Sequence, residues 1–113
     1  MKGTGLTKIA SIVITLFMIG SACSMRRSLP LEGPLALNDS EKTGQGIFME
    51  YCQRCHPQGE AGLGPAILWA PNFAKRFQVR HGLGTMPAFG EEHISDGELK
   101  NLTDYLKALK RNG

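Results

Sequence analysis

Apolar residues fall into three patterns along the chain. The first is a run from Ile9 to Ile19, broken only by Ser11 and Thr15. The second is a looser helical spacing over 39–51, where Ile47, Phe48 and Tyr51 cluster. The third is the most regular. Leu99, Leu102, Leu106 and Leu109 recur at i, i+3, i+7 and i+10, with Tyr105 beside them. That spacing predicts an amphipathic helix of about four turns. Ser95-Asp96-Gly97-Glu98 is an S-x-x-E capping box at its start. Lys107, Lys110 and Arg111 complement the dipole of its last turns, and Asn112 and Gly113 end it. In the earlier helix Asp39 or Ser40 is the expected N-cap. Gly44 and Gly46 inside that helix cost roughly 1 kcal/mol each against Ala. Such a cost is expected where a second helix approaches closely.

The apolar run at 9–19 has the flanks of an export signal. Lys2 and Lys8 form a positive n-region, and the small residues Gly20, Ser21 and Ala22 follow the run. A bilayer span needs about 20 apolar residues, so a cleaved signal over 1–22 fits better than an uncleaved anchor. Ser21-Ala22-Cys23 resembles the end of a bacterial lipobox, although Gly20 stands where that pattern usually has Leu. Cleavage by the general signal peptidase after Ala22 is the alternative and leaves Cys23 a free thiol. Lipidation of Cys23 is the expectation, because an exposed thiol in an oxidising compartment invites disulfide pairing. Residues 23–38 carry Arg26, Arg27, Pro30, Gly33 and Pro34 without a sustained apolar period. They read as a flexible linker with a reach of about 20 Å. The folded domain is then 39–113, and the location implied is the bacterial periplasm, with a lipid or N-terminal membrane anchor.

Length and charge narrow the function classes. A chain of 113 residues fits one domain and excludes a multi-domain enzyme. Its formal charge is +3, from 13 Lys and Arg against 10 Asp and Glu. Lys2 and Lys8 lie in the signal, so removing them leaves 11 bases against 10 acids, or +1. No basic patch remains for nucleic acid.

A folded part of this size buries only a marginal core and calls for a staple. Cys52 and Cys55 are the only cysteines left in it, and a bond between them would close too small a loop to stabilise much. They belong to Cys52-Gln53-Arg54-Cys55-His56, the C-x-x-C-H pattern of haem c attachment. Two thiols at this spacing reach the two vinyl groups along one porphyrin edge. The next residue, His56, is carried to the iron as a proximal ligand. A thioredoxin-like pair would need a strand before it within a βαβ unit, whereas a helical pattern precedes it here. A zinc site would need a fourth ligand, for which only His81 or His93 offers itself, without a paired motif.

Met86 is the candidate for the opposite axial position. Met1 and Met18 lie in the signal, Met25 in the linker, and Met49 only three residues before Cys52. Met86 comes 30 residues after His56, far enough for the chain to wrap to the other haem face. Its loop is rich in Gly and stiffened by Pro87. A thioether is a soft neutral ligand that favours Fe(II) and raises the potential. A core gap-filling role is the plain alternative for Met86. His81 and His93 are rival ligands and otherwise surface histidines. Trp69 and Arg80 are candidates for haem propionates, their commoner roles being a core Trp and a solvated Arg.

Over residues 39–113 the chain resembles class I monohaem cytochromes c. Gly44 and Phe48 stand eight and four residues before Cys52, as the family's Gly and aromatic do. Gly64-Pro65 follows the haem motif, Gly84-Thr85-Met86-Pro87-Ala88-Phe89 is similar to the family's distal Met loop, and Tyr105-Leu106 falls in the C-terminal helix. The resemblance implies a small all-α fold whose N- and C-terminal helices cross near the Gly. It implies that the Pro65 carbonyl accepts a bond from the second nitrogen of His56. Leu63, Ile67, Leu68, Phe73, Phe77 and Val79 are expected as the crevice wall. The function expected is electron transfer on one covalent haem c, without enzymatic activity, to a membrane respiratory complex or a periplasmic oxidoreductase. Two alternatives stand beside it. One is a haem c subunit inside a membrane dehydrogenase or oxidase complex. The other is a haem-based sensor or peroxidase-like enzyme with an open distal position.

Overall fold

The computed structural model describes residues 33–113. The expected signal, Cys23 and the first part of the linker lie outside the described residues. Three helices follow: α1 (Asp39–Tyr51), α2 (Asn72–His81) and α3 (Asp96–Asn112), with a short 3₁₀ turn at Pro57–Gly59. Among the described residues there is no strand, only an isolated bridge between Leu83 and Met86. The fold is the small all-α arrangement expected.

α1 spans the expected residues, but its cap lies one position earlier than expected. Its N-cap is Asn38, not Asp39 or Ser40. The Asn38 side chain accepts from Glu41 N at 2.9 Å, and the Glu41 carboxylate accepts from Asn38 N at 3.0 Å. This is the same reciprocal box as S-x-x-E, with an amide oxygen in place of the hydroxyl. Ser40 is thereby free to turn toward α3, where its Oγ lies 2.7 Å from Asn101 Oδ1. α3 starts at the Ser95–Glu98 capping box and runs to a cap at Gly113. Leu35 and Leu37, in the segment read as a linker, are partly buried against the core.

α1 and α3 cross at Gly44. A Cβ there would run into the Asn101 carbonyl and lie 2.9 Å from the Tyr105 Cβ. One turn on, Phe48 is fully buried, with its ring 5.4 Å from that of Tyr105. Leu99, Leu102, Leu106 and Leu109 fill the rest of the seam, joined by Ile94, Leu68 and Val79. Charged groups close its edges. Arg111 donates to Glu41 at 2.9 Å and, with the Asn38 N–H, holds that carboxyl below its usual range. Lys100 at 2.7 Å, with Lys107 and Ser40, holds the Asp104 carboxyl down to about 2 against the burial that opposes it.

The apolar pattern did not announce α2. Its sequence is NFAKRFQVRH, its N-cap is Pro71 without a side-chain cap, and of its apolar side chains only Val79 is buried. Lys75 on the same helix is buried instead, donating to the Leu68 carbonyl at 3.1 Å. Burial pushes its pKa down, with Lys110 and Lys107 nearby adding to the effect. The expected crevice wall therefore divides. Leu68 and Val79 belong to the core and Ile67 packs against it, while Leu63, Phe73 and Phe77 are exposed. Trp69 is not a core residue: it is 66% exposed, with Lys110 Nζ 4.3 Å over its ring.

The two α1 glycines differ in what they do. Nothing lies within 4 Å of a Cβ at Gly46. Gly44→Ala is expected to destabilise the fold by about 1–3 kcal/mol through overpacking at the crossing. Gly46→Ala is expected to stabilise it by roughly 0.5–1 kcal/mol through helix propensity. Denaturant unfolding of the two variants checks the opposite signs.

Candidate functional site

The attachment motif closes α1. Cys52 is its C-cap, with Cys52 N bonded to Phe48 O at 2.9 Å. The chain then turns tightly, and Cys55 N and His56 N both donate to Cys52 O, at 3.1 and 2.9 Å. Cys52 is half-buried against the core, and burial, with Cys55 nearby, pushes its thiol up to about 11. Cys55 is exposed.

His56 is buried, and its Nδ1 lies 2.7 Å from the Pro65 carbonyl. A carbonyl oxygen can only accept, so Nδ1 carries the proton and donates. Nε2 is the ring nitrogen left for a metal, and a metal-ligating imidazole is commonly oriented by such a bond at its other nitrogen. The loop that presents Pro65 is fastened close by. Gly64 N donates to Cys55 O at 2.9 Å, and Gly59 N to His56 O at 2.9 Å. Gly64 lies flat against the imidazole: a Cβ there would stand 2.9 Å from both Nδ1 and Nε2. Gln58 takes a left-handed conformation, φ 54°, with its N–H donating to Gln53 Oε1 at 2.9 Å.

Met86 is held by a different construction. Leu83 N donates to Met86 O at 3.1 Å and Met86 N to Leu83 O at 3.0 Å. This is a two-residue hairpin turn whose first central residue, Gly84, has φ 58°. A primed turn reserves that position for Gly. Gly82, the C-cap of α2, has φ 67° and packs so closely on the loop that a Cβ would lie 2.8 Å from Ala88 N. Met86 is half-buried against the core. Three residues on, Phe89 N donates to Val79 O at 2.8 Å, and its ring meets that of Tyr51 edge-on at 5.5 Å. Tyr51 immediately precedes Cys52, so the two rings tie the Met loop to the attachment turn. Sequence reading did not single out this ring pair, because partners so far apart leave no periodic trace.

The rival ligands are engaged elsewhere. His81 is exposed, its ring stacked on Phe77 at 4.0 Å and its Nδ1 2.8 Å from the Phe77 carbonyl. His93 is exposed beside Glu92, at 3.0 Å. Among the described residues no cluster of three or more His, Cys, Asp and Glu could hold a metal ion, which disfavours a zinc site. A helix precedes the Cys pair and no strand stands among the described residues, which disfavours a thioredoxin-like unit. No helix of the described residues is long and apolar enough to cross a membrane. The donor set that remains is two thiols in one turn, an imidazole with one nitrogen fixed, and a thioether on a second loop against the same core. That set fits haem c.

Helices crossing at a glycine, with C-x-x-C-H closing the first of them, define a small cytochrome c domain. Residues 39–106 match the family described as cytochrome c oxidase, cbb3-type, subunit III, and the chain belongs to that family. Covalently bound haem c and haem-based electron transfer are what the cytochrome c family brings with it. No curated protein and no solved structure matches the chain.

Gly64→Ala tests the seat of His56. The added methyl is expected to displace the ring from the Pro65 carbonyl and cost about 1–3 kcal/mol of stability. Thermal unfolding reads the cost, and loss of the slowly exchanging Nδ1 proton by NMR reads the displacement.

Proposed function

We propose that the chain is an exported, membrane-tethered electron carrier, holding a single haem c through Cys52 and Cys55, with His56 and Met86 as axial ligands. The observation that carries this reading is the buried His56, whose Nδ1–H is committed to Pro65 and whose Nε2 is left to ligate. When bound, the haem supplies one-electron Fe(II)/Fe(III) chemistry. The chain's residues do the rest. The two thiols fix one porphyrin edge. Gly64 and Pro65 prevent the imidazole from rotating, and the hairpin turn sets the thioether. With both axial positions filled by protein, no position is left for a substrate, so the protein carries electrons without catalysing a reaction. Export to the bacterial periplasm rests on the signal at 1–22, and the tether on lipidation of Cys23. The tether would raise the local concentration at a membrane-bound redox partner.

The family's description as an oxidase subunit favours a second reading, a haem c subunit that works within a membrane oxidase or dehydrogenase complex. Mild detergent extraction followed by sizing separates the two. A free carrier is expected to migrate as a small species, whereas a subunit travels with a large haem-containing complex.

The oxidised, haem-loaded protein is expected to show the weak far-red band of a sulfur–Fe(III) bond, and Met86→Ala to abolish it. A high-spin wild-type spectrum with rapid carbon monoxide binding after reduction would instead place an open distal position and favour a sensor or peroxidase-like enzyme. A low-spin spectrum without the band would point to His81 or His93.

A further inference from the structure

Arg80 binds three groups outside its own helix. It stands in the last turn of α2, and its side chain is only 19% exposed. Nη1 donates to the Phe89 carbonyl at 3.0 Å and to the Ile94 carbonyl at 2.6 Å. Nη2 donates to Asp96 Oδ1 at 2.8 Å, in the first turn of α3. One guanidinium thus joins α2, both ends of the 89–94 segment and the start of α3. A planar fork with several fixed donors suits this task, and an ammonium does not reproduce it.

The place of attachment gives the clamp its consequence. Phe89 is held at its N–H by Val79, at its carbonyl by Arg80 and at its ring by Tyr51. Ile94, at the other carbonyl, is 1% exposed and sits in the core. The Met86 turn leaves α2 at Gly82 and returns to the core at Phe89, so fixing Phe89 against α2 fixes the downstream end of the ligand loop. The alternatives considered for Arg80 in the sequence were solvation or a haem propionate, yet the guanidinium is engaged by this protein's own carbonyls and Asp96.

We propose that Arg80 is a positioning residue for the axial methionine: by binding the Phe89 and Ile94 carbonyls and Asp96 it holds the loop that keeps Met86 at the iron. This rests on the His56/Met86 reading. A residue acting in this way governs how readily the sixth position opens, beyond any contribution to overall stability.

The test uses haem-loaded protein with four substitutions: Arg80→Ala, Arg80→Lys, Asp96→Asn and Arg111→Ala. The last breaks the Glu41 pair at the other end of the α1–α3 seam and serves as a stability control. Three readouts are taken: the Met86-dependent far-red band, the rate of carbon monoxide binding to the reduced protein, and hydrogen exchange at the Phe89 amide. Arg80→Ala is expected to weaken the band, speed carbon monoxide binding by about tenfold and accelerate exchange at Phe89. Arg80→Lys and Asp96→Asn are expected to shift the same readouts less, and they carry the test if Arg80→Ala does not fold. Arg111→Ala is expected to lower the unfolding temperature without moving the three readouts. The role of Arg80 is overturned if its variants keep the wild-type band and carbon monoxide rate, or if Arg111→Ala moves them equally. A wild-type protein without the band overturns the methionine ligation itself.

Discussion

Gly44 of α1 lies against the α3 backbone with no room for a side chain, since a Cβ there would run into the Asn101 carbonyl. Everything near the attachment motif is referred to that crossing. Because the helices touch without side chains between them, Phe48 is drawn one turn further into the seam, where its ring packs at a tilt against that of Tyr105. Cys52 then caps α1 through its bond to Phe48 O, so the first thiol is one turn away from the most buried ring of the helix. A domain with so small a core has few ways to fix a side chain to the tolerance that iron ligation demands. It does so by letting the tightest helix contact define where the motif begins.

The two axial candidates are held by opposite strategies. His56 is fixed locally. Its partner Pro65 and the flat face of Gly64 lie a few residues along the chain, and Gly64 N bonds directly to Cys55 O. That half of the site is assembled once the turn forms. Met86 is fixed at a distance. Its hairpin is local, but the placement of that hairpin depends on Val79, Arg80, Tyr51 and Ile94, which come from three regions of the chain. Local unfolding follows the weakest set of contacts. The methionine side is therefore the side expected to open first, and Arg80 sits where that opening is resisted.

The parts legible in the sequence share a cause. α3 was readable because its four leucines repeat at helical spacing behind an S-x-x-E box, and C-x-x-C-H was readable because its chemistry is confined to five adjacent residues. α1 was readable from its aromatic cluster, though its cap was displaced to Asn38, since Asn and Asp compete for that role on nearly equal terms. α2 escaped notice because it buries Val79 and the stem of Lys75 while leaving Phe73 and Phe77 exposed, which inverts the usual pattern. A helix that serves as a strut for a neighbouring loop needs no apolar stripe, so periodicity carries no trace of it. The same holds for Arg80. Two of its three partners are backbone carbonyls, and a carbonyl has no residue type to read.

That last point bears on how the proposed electron carrier works. An electron carrier needs its ligand geometry to change little between Fe(II) and Fe(III), so the groups around the ligands must be stiff. Side-chain packing alone tolerates small shifts, whereas hydrogen bonds to main-chain carbonyls fix direction as well as distance. His56 has one such bond through Pro65, and the Met86 loop has its counterparts through the Phe89 N–H donated to the Val79 carbonyl and the Arg80 fork. Each axial side is thus braced against backbone. The bracing differs in reach, with a short tie on the histidine side and a three-element clamp on the methionine side. The longer clamp couples the distal candidate, Met86, to the packing of α2 and α3.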